Sequence, residues 1–367
     1  MKRCFTSLTA LLCSAAILLC SLPMQALAAE FRMQTAYEDI LPDELTAQEE
    51  APAALAEPEA PEAEKQPEAP PEGPAVSVLS TDNRSGDFTY SVLPDNTAQI
   101  TGYSGTASNL TIPSELDGYA VCSIGYWAFR DKKMLRSVRF PTNLKSIGAQ
   151  AFQRCSSLET IEFPDSVETI GTYAFGACSS LVSANYPRSW KNVQATLGGT
   201  IESPFAGASK LTSMTIPDGV TAIPSYAFDS SCLETVSLPA TLTTIQYSAF
   251  DNIKTLQSVD IPDNVTTINM YAFRGCMALR SVRFPANLKT IGAQAFQNCS
   301  SLETIELPDC VETIGAYAFG SCSSLISANF PQSWKSVPAT QGGTNASPFA
   351  GSAKLISMAV PEGVTAI

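Results

Sequence analysis

The groups in this chain most able to do chemistry are its cysteines, and their spacing is regular. There are eleven cysteines and no histidine in 367 residues. Cys155, Cys178, Cys276, Cys299 and Cys322 each stand three residues after a phenylalanine: Phe152, Phe175, Phe273, Phe296 and Phe319. One thiol at a fixed place in a recurring unit predicts a buried column of small apolar groups rather than a disulfide framework. Stacked strands lie about 4.8 Å apart, and parallel Cβ vectors at that spacing stay wider than the roughly 3.8 Å of a bridge. A single file of thiols does not surround a metal ion either. The lack of histidine removes the usual general base, the commonest zinc ligand and the Ser-His and Cys-His nucleophile pairs. Among the carboxylates, Asp165, Asp218, Asp263 and Asp309 each follow a proline, where Asp serves as a turn residue. The expectation is a protein without catalytic residues, cofactor or metal.

Aromatic side chains are the other reactive-looking feature. Trp190 and Trp334 lie near Gly198-Gly199 and Gly342-Gly343 and resemble exposed binding aromatics. Each stands three residues after its proline, the place held elsewhere by Val167 and Val311, and this register predicts core filling instead. The added stretches Gln194 to Pro204 and Pro338 to Pro348 are expected to bulge as loops from the side away from the main strands.

These positions belong to a repeat of roughly 23 residues that runs from about residue 110 to Ile367. Its phenylalanine anchors are Phe129, Phe152, Phe175, Phe205, Phe228, Phe250, Phe273, Phe296, Phe319 and Phe349, so about ten coils are visible. Within a unit, Ser137 to Phe140 or Thr160 to Phe163 alternates polar and apolar, the pattern of a strand with one buried face. Pro141 and Pro164 end that strand because proline lacks the ladder donor. Val167 and Ile170 are three apart, Gly171 permits a bend, and Tyr173-Ala174-Phe175 reads as a short helical turn. One coil cannot bury its own apolar set, but stacked coils bury Leu over Leu and Phe over Phe. The predicted fold is an α/β repeat solenoid, with parallel strands on one face and short helical or irregular segments on the other.

The I-P-x-x-V-x-x-I-G-x-x-A-F-x-x-C pattern resembles the BspA-like bacterial class of leucine-rich repeats, over about two thirds of the chain. Departures are confined to single positions: Phe205 and Phe349 follow proline, and Cys is missing after Phe129, Phe205, Phe250 and Phe349. The resemblance implies a surface protein that adheres to host matrix or plasma glycoproteins or to other bacterial cells. A longer repeat overlies the short one, since Leu135 to Ile223 matches Leu279 to Ile367 at roughly three quarters of positions. Ile367 falls inside a coil and carries no polar cap, so a longer protein is expected.

Four segments are expected. Residues 1–28 carry Lys2 and Arg3, an apolar run and Ala26-Leu27-Ala28, a secretory signal with its cleavage pattern. Residues 29–76 form an acidic Pro/Ala/Glu-rich spacer too polar to bury a core. Thirteen acids there against Arg32 and Lys65, with Lys2 and Arg3 in the signal, leave −4 of the total −13 for the remainder. Nucleic-acid binding, which needs concentrated basic charge, is excluded on that ground. Residues 77–113 contain two alternating stretches around Pro94-Asp95-Asn96, read as an N-terminal β-hairpin cap, and residues 114–367 are the repeats. The product is expected to be secreted or cell-surface bound, with no transmembrane segment once the signal is cleaved.

On the strand face, one outward column is hydroxyl in every unit: Ser137, Thr160, Ser183, Ser213, Thr235, Ser258, Ser281, Thr304, Ser327 and Ser357. Such residues suit stacked strands for structural reasons. Two residues on, the outward position varies: Arg139, Glu162, Asn185, Thr215, Ser237, Asp260, Arg283, Glu306, Asn329 and Ala359. Except for Ala359, these are the candidate ligand-binding residues. They would span on the order of 45 Å, enough for a large protein or glycoprotein. Competing readings are a targeting module for an exported enzyme encoded beyond Ile367 and a structural envelope spacer.

Overall fold

The structure is a computed structural model and describes residues 82–335 and 346–359. Its N-terminal part is a meander of β1 (Asn83–Ser85), β2 (Phe88–Val92) and β3 (Ala98–Tyr103). β1 pairs antiparallel with β2, and β2 with β3 through a bulge at Thr89/Tyr90. β4 (Asn109–Thr111), β5 (Glu115–Leu116) and β6 (Tyr119–Ile124) lead into the coils. β3 already pairs in parallel with β6, so the hairpin merges into the solenoid sheet. It also covers the first layer: Tyr90, Ala98 and Ile100 are buried, and the Tyr103 ring lies 5.4 Å from Phe129.

Each following coil contributes two short strands. In order they are β7 (Ser137–Arg139) and β8 (Ser146–Ile147), β9 (Thr160–Glu162) and β10 (Thr169–Gly171), β11 (Ser183–Ala184) and β12 (Asn192–Gln194). Then come β13 (Ser213–Thr215) and β14 (Ala222–Ile223), β15 (Thr235–Ser237) and β16 (Thr244–Ile245), β17 (Ser258–Asp260) and β18 (Thr267–Ile268). The series ends with β19 (Ser281–Arg283) and β20 (Thr290–Ile291), β21 (Thr304–Ile305) and β22 (Thr313–Ile314), and then β23 (Ser327–Asn329) and β24 (Ser357–Ala359), the first strands of two successive coils. The first strand of each coil builds a first face, in sheets ordered β11-β9-β7-β4, β13-β15, β17-β19 and β21-β23-β24. The second strand builds a second face, β6-β8-β10-β12 and then β14-β16-β18-β20-β22. Within every sheet of the repeats the pairing is parallel and in register, as Ser137, Val138 and Arg139 opposite Thr160, Ile161 and Glu162 illustrate.

This second face corrects the α/β expectation: among the described residues there is no helix. The Val-x-x-Ile spacing mimics a helical face, but Thr-Ile pairs prefer the extended backbone. At Gly171 an added Cβ would meet the Ala149 nitrogen at 2.2 Å, so the coils approach too closely there for any side chain. The Ala-Phe segment is also not helical. Gln150 and Arg154, at φ of 57° and 61°, are left-handed and break a right-handed helix. Their N–H groups instead donate to the next coil, Gln150 to Thr172 O at 2.8 Å and Arg154 to Gly176 O at 2.8 Å. Phe152 does the same to Ala174 O at 2.7 Å, so the phenylalanine corner forms its own ladder between coils.

The core is one continuous stack. Phe129, Phe152, Phe175, Phe205, Phe228, Phe250, Phe273, Phe296 and Phe319 are fully buried. Successive rings are stacked 4.7 Å apart at Phe129–Phe152 and 5.1 Å at Phe273–Phe296. The spacing widens to 5.9 Å at Phe175–Phe205 and 6.3 Å at Phe205–Phe228. The five repeat cysteines are buried and free. Each donates its S–H to a phenylalanine carbonyl of the preceding coil, as Cys155 does to Phe129 O at 3.2 Å and Cys322 to Phe296 O at 3.2 Å. Burial pushes the Cys155 and Cys322 thiols up to about 12, so they remain protonated and unreactive at neutral pH.

Candidate ligand-binding face

The hydroxyl column packs as cross-strand pairs: Ser137 faces Thr160, Thr160 faces Ser183, Ser213 faces Thr235, and Ser258 faces Ser281. It is a structural column with the geometry that suits small hydroxyl residues in a ladder. The variable column beside it stands outward, with Arg139, Glu162, Asn185, Thr215, Ser237, Asp260, Arg283 and Glu306 exposed and Asn329 half-buried. These residues do not form one uninterrupted row. The sheet breaks leave Arg139 beside Glu162, Thr215 beside Ser237, and Asp260 beside Arg283.

Several members are already engaged. Asn185 accepts from the Phe163 N–H at 2.6 Å and donates to Phe163 O at 2.9 Å. Asn329 does the same at Leu307, both distances being 2.6 Å. Each asparagine side chain thus imitates a strand segment and clamps its coil to the one before. Arg283 donates to Asp260 at 3.1 Å and to Asp263 at 2.9 Å, and the two carboxylates hold its guanidinium above its ordinary pKa. Asp263 also accepts from the Ala286 N–H at 3.1 Å, which with Arg283 draws its carboxyl below the usual range. The acid after the strand-ending proline is a link between turns.

The longer units are placed as their register requires. Trp190 is buried, packs 5.2 Å from Tyr186 and donates its ring N–H to Asn192 O at 2.8 Å. Trp334 is half-buried, 4.7 Å from Phe330. The stretch from Gln194 leaves the end of the second face, turns at Thr196–Thr200 and exposes Leu197. Residues 336–345, in the matching stretch, lie outside the described residues.

Two charged arrangements escaped the sequence reading. On the second face Glu168 lies between Lys145 and Lys191, at 3.7 and 2.7 Å, and Glu312 between Lys289 and Lys335, at 3.7 and 2.8 Å. At the phenylalanine corner Asp251 is buried and accepts from Arg274 at 3.0 and 2.5 Å. Asp229, one coil earlier, is pushed up to about 7 by burial and by the Asp251 charge. The signal was available: Asp229, Asp251 and Arg274 each directly follow a repeat phenylalanine, so the register places them in one column.

A solenoid of two parallel faces with a phenylalanine corner is a leucine-rich repeat of bacterial type. The BspA type leucine rich repeat region matches in six copies, over residues 102–197, 123–257, 199–325 and 243–367, and the chain belongs to that family. Comparison with curated proteins finds no match. Among solved structures, the chain is similar to a leucine rich cell surface protein from Faecalibacterium prausnitzii, at 23% identity over 77% of this chain and 95% of that one, TM-score 0.38. A leucine-rich repeat protein of T. pallidum is 26% identical over 60% and 91% of the two chains, TM-score 0.42. The pneumococcal vaccine antigen PcpA is 18% identical over 76% and 87%, TM-score 0.44.

Proposed function

We propose that this chain is an exported, surface-displayed binding protein that recognises a large protein or glycoprotein ligand through the first face of its solenoid. A secretory signal (1–28) and acidic spacer (29–76) deliver and extend it, and the reading is non-enzymatic. The observation that carries it is the exposed variable column on a rigid array, beside a hydroxyl column whose constancy is structural. Stacking at about 4.8 Å per coil gives such a column the reach for a macromolecule. The ligand classes it fits are a host matrix or plasma glycoprotein, or the surface of another bacterial cell. Membership of the BspA type leucine rich repeat family is in keeping with this reading.

The test combines Arg139→Glu, Glu162→Lys, Arg283→Glu and Glu306→Lys in the full chain. Capture of immobilised plasma and matrix proteins should weaken, and the weakening should shrink with added salt because exposed charges are screened within about 8 to 10 Å. Deleting residues 194–204 probes the opposite side. If the deletion abolishes capture while the reversals leave it intact, the first face is not the binding surface.

A further inference from the structure

The chain carries its own control, because the block from Leu135 recurs from Leu279. In the second copy β23 and β24 pair in parallel, Ser327, Ala328 and Asn329 opposite Ser357, Met358 and Ala359. The Ile356 N–H donates to Ile326 O at 3.3 Å. Their counterparts β11 and β13 lie in different sheets, and the second face is cut at the same boundary, between β12 and β14. Among the described strands of the repeats no other boundary interrupts both faces.

A cleft of about 380 Å³ opens there, lined among others by Phe163, Asp165, Asn185, Tyr186, Arg188 and Thr215. Four of these differ in the second copy, which carries Leu307, Phe330, Gln332 and Ala359. Every one of the four changes removes a ring, a hydroxyl or a charge. The copies agree at roughly three quarters of positions overall, so the divergence is concentrated at the cleft. Tyr186 is 3% exposed and its buried hydroxyl has no hydrogen-bond partner. Arg188 is held at the mouth, donating through Nη1 to Asp165 at 2.9 Å and through Nε to Asp218 O at 3.3 Å.

We propose that this boundary docks an extended peptide segment of a partner protein. Its main chain would bond the open edges of β11 and β13, and one polar side chain would enter the cleft beside Arg188 and Thr215. What the boundary lacks, relative to its copy, is main-chain hydrogen bonds. An extended peptide presents donors and acceptors at strand spacing and supplies that deficit. The proposal rests on the reading that the ligand is a protein, and narrows it to one place and one conformation.

The probe is a library of random linear peptides displayed on phage, selected on the full chain. Selected peptides are then titrated against a variant combining Phe163→Leu, Tyr186→Phe, Arg188→Gln and Thr215→Ala. Each replacement is one that a coil of this chain already carries, and an unchanged circular dichroism spectrum with a single cooperative melting transition verifies the fold. Affinity should fall about tenfold or more, a loss of about 1.4 kcal/mol. Selected peptides that bind the variant equally well overturn the cleft while leaving a protein-binding first face intact. Failure to select any peptide, with matrix proteins still captured, also overturns the cleft. Failure of both overturns the protein-binding reading itself. Oligosaccharides that bind the wild-type chain but not the variant would make the cleft a carbohydrate site and the proposal wrong.

Discussion

The two copies of the long repeat are alike within a coil and unlike across one boundary. The Lys-Glu-Lys arrangement is reproduced at 3.7 and 2.7 Å in one copy and 3.7 and 2.8 Å in the other. The asparagine clamps on Phe163 and Leu307 both accept at 2.6 Å. At the end of the block they part. Trp190 is buried and lies edge-on to both Phe205 and Phe228, 6.4 and 5.9 Å away, while Trp334 is half-buried. The Phe175–Phe205 spacing is 5.9 Å and the matching Phe319–Phe349 spacing 5.5 Å. Consensus positions dictate the path of the chain around a coil, since they meet the same neighbours in every layer. Whether two layers close into a ladder depends on the few non-consensus side chains between them, and at this boundary Phe163, Tyr186, Arg188 and Thr215 stand where the closed copy carries Leu307, Phe330, Gln332 and Ala359.

The largest effect should come from the phenylalanine stack, and it should differ with layer spacing. Phe296 is stacked at 5.1 and 5.3 Å on its two sides, so Phe296→Ala should cost about 3 to 5 kcal/mol. Phe205, at 5.9 and 6.3 Å, packs less closely, and Phe205→Ala should fall at or below the low end of that range. Equal shifts in denaturant midpoint would mean that the wider spacing carries no energetic weight.

Next in size is the corner between the two copies, where Asp229 lies one coil before Asp251. Its surroundings are Asp251, Ser230, Glu202 and Arg274, and desolvation dominates, giving a folded pKa of about 7. An unfolded Asp titrates at about 3.9. The folded state therefore keeps its proton where the unfolded state has lost it, and stability falls as pH rises from about 4 to about 7. The loss is on the order of 2 to 4 kcal/mol by linkage. Asp229→Asn can still accept from Ser230 and should flatten that slope, raising stability at neutral pH and leaving it nearly unchanged near pH 4. A slope identical to wild type would show that Asp229 is ionised in the folded protein.

Much of this fold is legible in the sequence because repetition averages out local ambiguity. Ten phenylalanines, about 23 residues apart except for two steps of 30, mark a core column, and the alternation around Val138 or Ile161 defines the first face. The second face was not legible as such: Val167 and Ile170 are three apart, a spacing shared by a helix and by a strand entered from a turn. Only the contact of Gly171 with Ala149 separates the two, and that contact belongs to the neighbouring coil. For the same reason the exposure of the variable column could be read, but not the clamps at Asn185 and Asn329. Their partners lie 22 residues away and depend on stacking. The ladder breaks were the least legible, since they turn on packing at a single boundary.

The smallest prediction tests that boundary directly. Tyr186 places a hydroxyl in the core with no partner, whereas Phe330 at the matching position has none to satisfy. A buried unsatisfied hydroxyl costs about 1 to 3 kcal/mol, so Tyr186→Phe should stabilise by about 1 kcal/mol and Phe330→Tyr should destabilise by a similar amount. If a ligand group bonds the Tyr186 hydroxyl, the sign for Tyr186→Phe reverses in its presence, because the variant then forgoes a bond that the wild type makes. Thermal melts of both variants, with and without a selected peptide, decide it. A Tyr186→Phe variant less stable than wild type without ligand would mean that the hydroxyl is already satisfied, and the contrast between the copies would then have to be sought in Phe163, Arg188 and Thr215.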